Sequence, residues 1–274
     1  MKRSRALLLL VLMLVLAAAL AACSTQEKHA TLPNDNGNHG GSVTDDDASD
    51  DDTSADDDTV TDDDTTGPTI ELALIYNHDT TAPDVYTTAL QNDKIHVNAV
   101  LEADVPTADF TAIKVILIDD STDWFDTGAG SGTARIAALG LPLLGVYDGG
   151  GNLFDNLGLP VGWDTGLQSD DSATSVRVTT PGHAVFNTPY NLGVSDGSVL
   201  TLFDATTFLR YQDLIPLPDN IVALAERDVS TDYSAITLEN NNDIYWGFEM
   251  GPDFLTEVGR EVLVNSIYYL SKQK

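Results

Sequence analysis

Tyr147 and Asp148, followed by Gly149, Gly150 and Gly151, are the residues best placed to do chemistry in this chain. They close the stretch LPLLGVYDGGGNLFDNL, residues 141–157, in which an apolar run reaches the glycines and then gives way to a helix-like 152–157. A strand that breaks sharply into a helix lifts the residue at the turn above the carboxyl end of a sheet. Glycine makes such tight geometry accessible, which is how a nucleophile elbow is built. Here the apex is a phenol with a carboxylate beside it, and neither Cys nor Ser is present. That pair suits binding of a sugar or another small polar molecule. The alternative use of Tyr147 is to plug an inherited cleft.

Three further residues carry candidate chemistry. His183, in Pro181-Gly182-His183-Ala184-Val185-Phe186, offers the side chain best suited to acid–base work near neutrality. Its competing use is as a hydrogen-bonded packing element of a loop. Glu249 could face Asp148 across a cleft, the paired-carboxylate arrangement of glycoside hydrolysis. In a chain with 43 acidic residues, however, two neighbouring carboxylates arise readily by chance. His78 follows the first predicted strand and should reach the same sheet edge. Asp119, Asp120 and Asp123 could approach a cation, but no His/Cys/Asp spacing defines a metal site, and none is expected. Trp124, Phe125 and Trp163 flank these loops, where aromatic rings serve either sugar stacking or burial.

The elements that position these residues read as α/β. Residues 70–77, 94–101 and 113–118 are strand-like, and the last is an apolar β-branched run suited to burial on both faces of a parallel sheet. Helices are expected over 83–92, opened by a proline, and over 132–139. After the elbow the pattern becomes β-rich, with strands predicted at 175–179, 199–203, 221–226, 235–238 and 244–250. A closing helix over 255–270 has Thr256 as N-cap and an apolar face of Val258, Val262, Leu263, Ile267 and Leu270. The expected fold is a doubly wound, mostly parallel α/β sheet with extra β elements in its second half.

Composition separates this domain, residues 69–274, from what precedes it. Residues 1–22 hold Lys2, Arg3 and Arg5 and then an apolar run, the pattern of a secretory signal. Residues 23–68 include four Asp triplets, 12 Asp within positions 45–64, and no aromatic residue. With nothing to bury, that stretch is expected to be a disordered, charge-extended tether. Calcium binding is its alternative use, although the turn glycine and bidentate Glu of an EF-hand are missing.

The formal net charge is −30, and from Thr69 onward 29 acidic residues face 9 basic ones. Such a surface argues against nucleic acid and against a polybasic grip on anionic lipid. The single cysteine, Cys23, excludes an internal disulfide.

Two resemblances add to this reading. Leu20-Ala21-Ala22-Cys23 resembles the lipobox of bacterial lipoproteins. It implies cleavage before Cys23, lipidation of its thiol, and a lipid-anchored place in the bacterial cell envelope; Ser24 suggests the outer membrane. The second rests on Tyr76-Asn77-His78, on Asp109-Phe110 leading into a buried strand, and on the elbow residues Pro142 through Gly149. It also draws on Gly247-Phe248-Glu249-Met250 with Leu255-Thr256 and Gly259-Arg260. In this order these motifs resemble the class I glutamine amidotransferase-like fold in its ThuA-like branch.

In active members of that fold a Cys stands where this chain has Tyr147, and a His–Pro–Glu is expected where Gly247-Phe248-Glu249 stands. Release of ammonia from glutamine by a thiolate with a His base is therefore excluded. The resemblance implies no cofactor. It leaves a binding or scaffolding domain, with Tyr147, Asp148, Gly149 and His78 as ligand-binding residues. The alternative is a carbohydrate-directed hydrolase using Asp148, His183 and Glu249. A homo-oligomer or an envelope complex is a third reading.

Overall fold

The computed structural model describes residues 69–273 apart from 125, 163–166, 213–215 and 230–232. The predicted signal segment, Cys23, the Asp-rich stretch, Phe125 and Trp163 lie outside the described residues.

The parallel part is built from short apolar strands: β1 (Ile70–Tyr76), β2 (Ile95–Leu101), β3 (Val115–Ile118), β4 (Leu143–Val146) and β11 (Asp243–Trp246). They lie in the order β2-β1-β3-β4-β11, and every neighbouring pair is parallel. β3, β4 and β11 are buried along their whole length, because helices cover both faces. On one face Leu72, Leu74, Leu117, Leu144 and Ile244 pack with helices α1 (Ala82–Leu90) and α4 (Glu257–Leu270). On the other, Ala73, Ile75, Ile116, Ile118 and Leu143 pack with α2 (Gly132–Leu139) and α3 (Tyr147–Asn156). This is a doubly wound α/β sheet.

Local chemistry explains where the helices start and stop. Ser131 caps α2 by accepting from the Ala134 amide at 3.1 Å, and Gly140 ends it in the left-handed region. Thr256 caps α4 in the same way through the Gly259 amide at 3.0 Å.

The second half adds antiparallel strands, as the β-rich pattern after the elbow predicts. β10 (Ser234–Glu239) forms a hairpin with β11, and its turn uses Asn240 and Asn241 at positive φ. β9 (Ile221–Arg227), β6 (Ser175–Val178) and β7 (Val199–Thr201) then extend the sheet. Two strands were not anticipated from sequence: β5 (Leu167–Ala173) and β8 (Thr207–Gln212), which pair with each other. The strand predicted at 244–250 ends at Trp246. Residues beyond it leave the sheet to meet β8, with the Arg210 amide donating to the Gly247 carbonyl at 2.7 Å and the Glu249 amide to the Phe208 carbonyl at 3.2 Å. A side chain at Gly247 would collide with the Arg210 carbonyl, so this crossing requires glycine.

Candidate functional site

Strand β4 stops at Val146 and α3 begins at Tyr147, whose φ is +40°. That is a strained value for an aromatic residue, of the kind held in place only by well-packed surroundings. Tyr147 therefore occupies the apex of a strand–helix elbow on a central parallel strand. The three glycines do a different job from the one the sequence suggests. They form the first turns of α3 rather than the bend, and their value is close approach. A side chain at Gly149 would overlap the Asp119 carbonyl and the Thr122 hydroxyl, and one at Gly150 would overlap the backbone of Gly145.

The apex does not open into a cleft. Tyr147 is 8% exposed and belongs to the core on the α1/α4 face. Arg210, from β8, lies over its ring at 5.0 Å from the centroid. The same guanidinium engages both carboxylate oxygens of Asp148, through Nε to Oδ1 and through its second nitrogen to Oδ2, the latter at 3.1 Å. The planar fork of arginine suits this two-pronged contact. Burial pushes the Tyr147 phenol up to about 12.

Two further carboxyls complete the cluster. Asp120 Oδ1 accepts from the Asp148 amide at 3.1 Å. Burial, reinforced by the charges of Asp148, Asp119 and Glu249, pushes the Asp120 carboxyl up to about 7. Glu249 is also raised, by burial first and by Asp148 second. Beside them runs a cleft of about 250 Å³ lined by Asp79, Asp119, Asp120, Ser121, Glu249 and Phe254. Among the described residues no group of His, Cys, Asp and Glu has the arrangement of a metal site.

Asp148 is near enough to Glu249 for its charge to raise that carboxyl, but only Glu249 lines the cleft, and Asp148 is held by Arg210. His183 lies elsewhere. It opens a single 3₁₀ turn, its Nδ1 accepting from the Val185 amide at 3.3 Å, and its ring packs 4.6 Å from that of Tyr269. The Tyr269 hydroxyl donates to Asn241, in the turn from which β11 starts. His183 thus stands at the amino edge of the parallel strands, opposite the elbow, and burial lowers its basicity. The predicted trio of Asp148, His183 and Glu249 does not assemble, because the loop carrying His183 docks on the far end of α4.

His78 does reach the carboxyl edge. Its Nε2 meets Asp123 Oδ2 at 2.6 Å with 70% of its side chain exposed. Asn77 stands beside it, its amide donating to Ser121 Oγ and its side chain to Glu102 and Asp123. This is the crevice between β1 and β3 where the strand order reverses, the usual ligand position of such sheets. Sequence reasoning missed Arg210 and Asn77. Arg210 gave no local signal, since its partner is 62 residues away.

No family model and no curated protein matches the chain. Among solved structures it is similar to PurLQS from Thermotoga maritima, at 13% identity and a TM-score of 0.47, over 74% of this chain and 99% of that one. A glutamine amidotransferase from Thermotoga maritima gives 9% identity and a TM-score of 0.40, over 74% and 96%. Agd3, described as a novel carbohydrate deacetylase, gives 13% and 0.46, over 75% of this chain and 33% of its own. These likenesses concern fold alone, and the fold stands on the sheet order and the elbow.

Proposed function

We propose that this is a cell-envelope lipoprotein whose amidotransferase-like, ThuA-like domain binds a small polar or carbohydrate ligand, or serves as a scaffold, without turnover. Lipidation at Cys23 would anchor it, and the Asp-rich stretch would act as the tether. One observation carries the loss of turnover: Arg210 lies on the Tyr147 ring and holds Asp148, so the position of a nucleophile is filled and covered. A thiol is absent from the domain, and the one loop histidine offered as a base stands at the opposite sheet edge. The cleft beside the elbow and the Asn77–His78 crevice remain available to polar groups of a ligand.

The direct test is an assay of the purified chain for ammonia release from glutamine and for hydrolysis of chromogenic glycosides, alongside a thermal-shift screen of sugars and polyols. The expected result is a ligand-dependent rise in melting temperature without hydrolysis. Loss of a measurable hydrolytic activity in Asp148→Asn or Tyr147→Phe would overturn this reading. Radiolabelled palmitate incorporation that disappears in Cys23→Ala tests the anchor.

A second reading is favoured by one observation. Asp120, held near 7, lies beside the Asp148 carboxylate, so a proton donor and a charged acceptor coexist near neutrality. A carbohydrate-directed hydrolase would use Asp120, Asp148 and Glu249 in this way, with His183 playing no part.

A further inference from the structure

The amino edge of the parallel sheet carries a second concavity, of about 460 Å³, lined by Thr69, Ile70, Lys94, Lys114, Tyr268 and Lys272, with Ser271 beside them. The domain from Thr69 onward has four lysines, and three of them line this one cavity. Among the described residues none of the three forms an ion pair.

The neighbouring acids are occupied elsewhere. Asp93, adjacent to Lys94, is buried and bonded to Arg260 at 2.6 Å and to the Tyr190 hydroxyl. Glu71, adjacent to Ile70, accepts from Asn98 at 2.8 Å and meets His96 Nδ1 at 2.7 Å. Three lysines lining one hollow bring like charges to one face, and an anion bound there relieves their repulsion. Lys272 follows the carboxyl end of α4, where a cation is favourable. Lys94 is the left-handed C-cap of the 3₁₀ turn Gln91–Asp93 that follows α1, and Lys114 directly precedes β3.

We propose that this lysine-lined cavity is a binding site for a phosphate-bearing ligand, separate from the elbow and independent of the reading proposed for it. The ammonium groups would hold the phosphate oxygens, and the Tyr268 ring and Ile70 give the cavity an apolar wall for the organic part. The chemistry fits a soluble phosphate ester and a phospholipid headgroup alike.

The test uses the full chain after its signal segment, titrated by calorimetry with inorganic phosphate and with glycerol 3-phosphate. Sedimentation with phosphatidylglycerol vesicles, and with phosphatidylcholine vesicles as control, forms the second arm. Saturable binding of glycerol 3-phosphate that weakens with added salt is expected. Each of Lys94→Gln, Lys114→Gln and Lys272→Gln should weaken it roughly three- to tenfold, the scale of one ordinary net hydrogen bond. Binding to phosphatidylglycerol vesicles with the same lysine dependence would assign the phosphate to a lipid; its absence would assign a soluble ester. Melting temperatures unchanged by the Gln variants establish that folding is intact. No saturable binding in either arm, or binding that survives the triple Gln variant, would overturn the proposal.

Discussion

Arg210 and Asp148 form a two-pronged ion pair between a strand of the antiparallel half and the first turn of the elbow helix, 62 residues apart in sequence. It neutralises one carboxylate of a cluster that also holds Asp120 and Glu249. Replacing Arg210 with Met should destabilise the domain by roughly 1–3 kcal/mol, because the carboxylate left behind keeps its acidic neighbours. The double variant with Asp148→Asn should recover part of that loss. Urea denaturation of the four proteins in the cycle measures the coupling.

A thiol at the apex does not restore chemistry. Tyr147→Cys is expected to remain without glutaminase activity, since Arg210 still covers the position and His183 stands at the other end of the sheet. Glutamate release, assayed with and without the further change Arg210→Ala, checks both halves of this statement.

Close packing around α3 should respond sharply to a single methyl group. Gly149→Ala drives a carbon into the Asp119 carbonyl and is expected to cost more than about 2 kcal/mol, or to prevent folding. Gly158→Ala, at a φ of +71° with open space around it, should cost only about 1 kcal/mol of backbone strain. Comparing denaturation midpoints of the two variants separates overlap from strain.

Acid should stabilise this protein over part of its range. Asp120 and Asp243 both have folded-state values near 7, raised by burial from an ordinary 3.8. The folded state therefore holds these protons where the unfolded chain has released them. Their contribution is fully present below about pH 4 and is lost as pH rises through about 7. Denaturation midpoints should fall between pH 5 and pH 8, and Asp120→Asn or Asp243→Asn should flatten that slope.

Much of this architecture was legible because it is written in local patterns. The run Val115–Ile118 announces a strand buried on both faces, Thr256 announces the start of the last helix, and the helix expected over 132–139 has those bounds. The elbow was legible too, although its glycines pointed to the bend when they serve the approach of α3 to Asp119 and Gly145. What escaped was everything set by contact between distant segments. β8, TFLRYQ, mixes exposed Phe208 with Arg210 and has no clean alternation, so neither the strand nor its arginine stood out. His183 misled for the same reason: its residue type suits acid–base work, but the helix on which it docks decides which sheet edge it occupies.

The position of β1 has a mechanical consequence. It is the first described strand, it lies inside the sheet, and it is bonded in register to a parallel neighbour on each side. Tension arriving through the residues ahead of Thr69 would run along that strand and have to shear both ladders at once, instead of peeling an edge open. Any such pull would be borne by a strand whose residues Leu72, Ala73, Leu74 and Ile75 are fully buried.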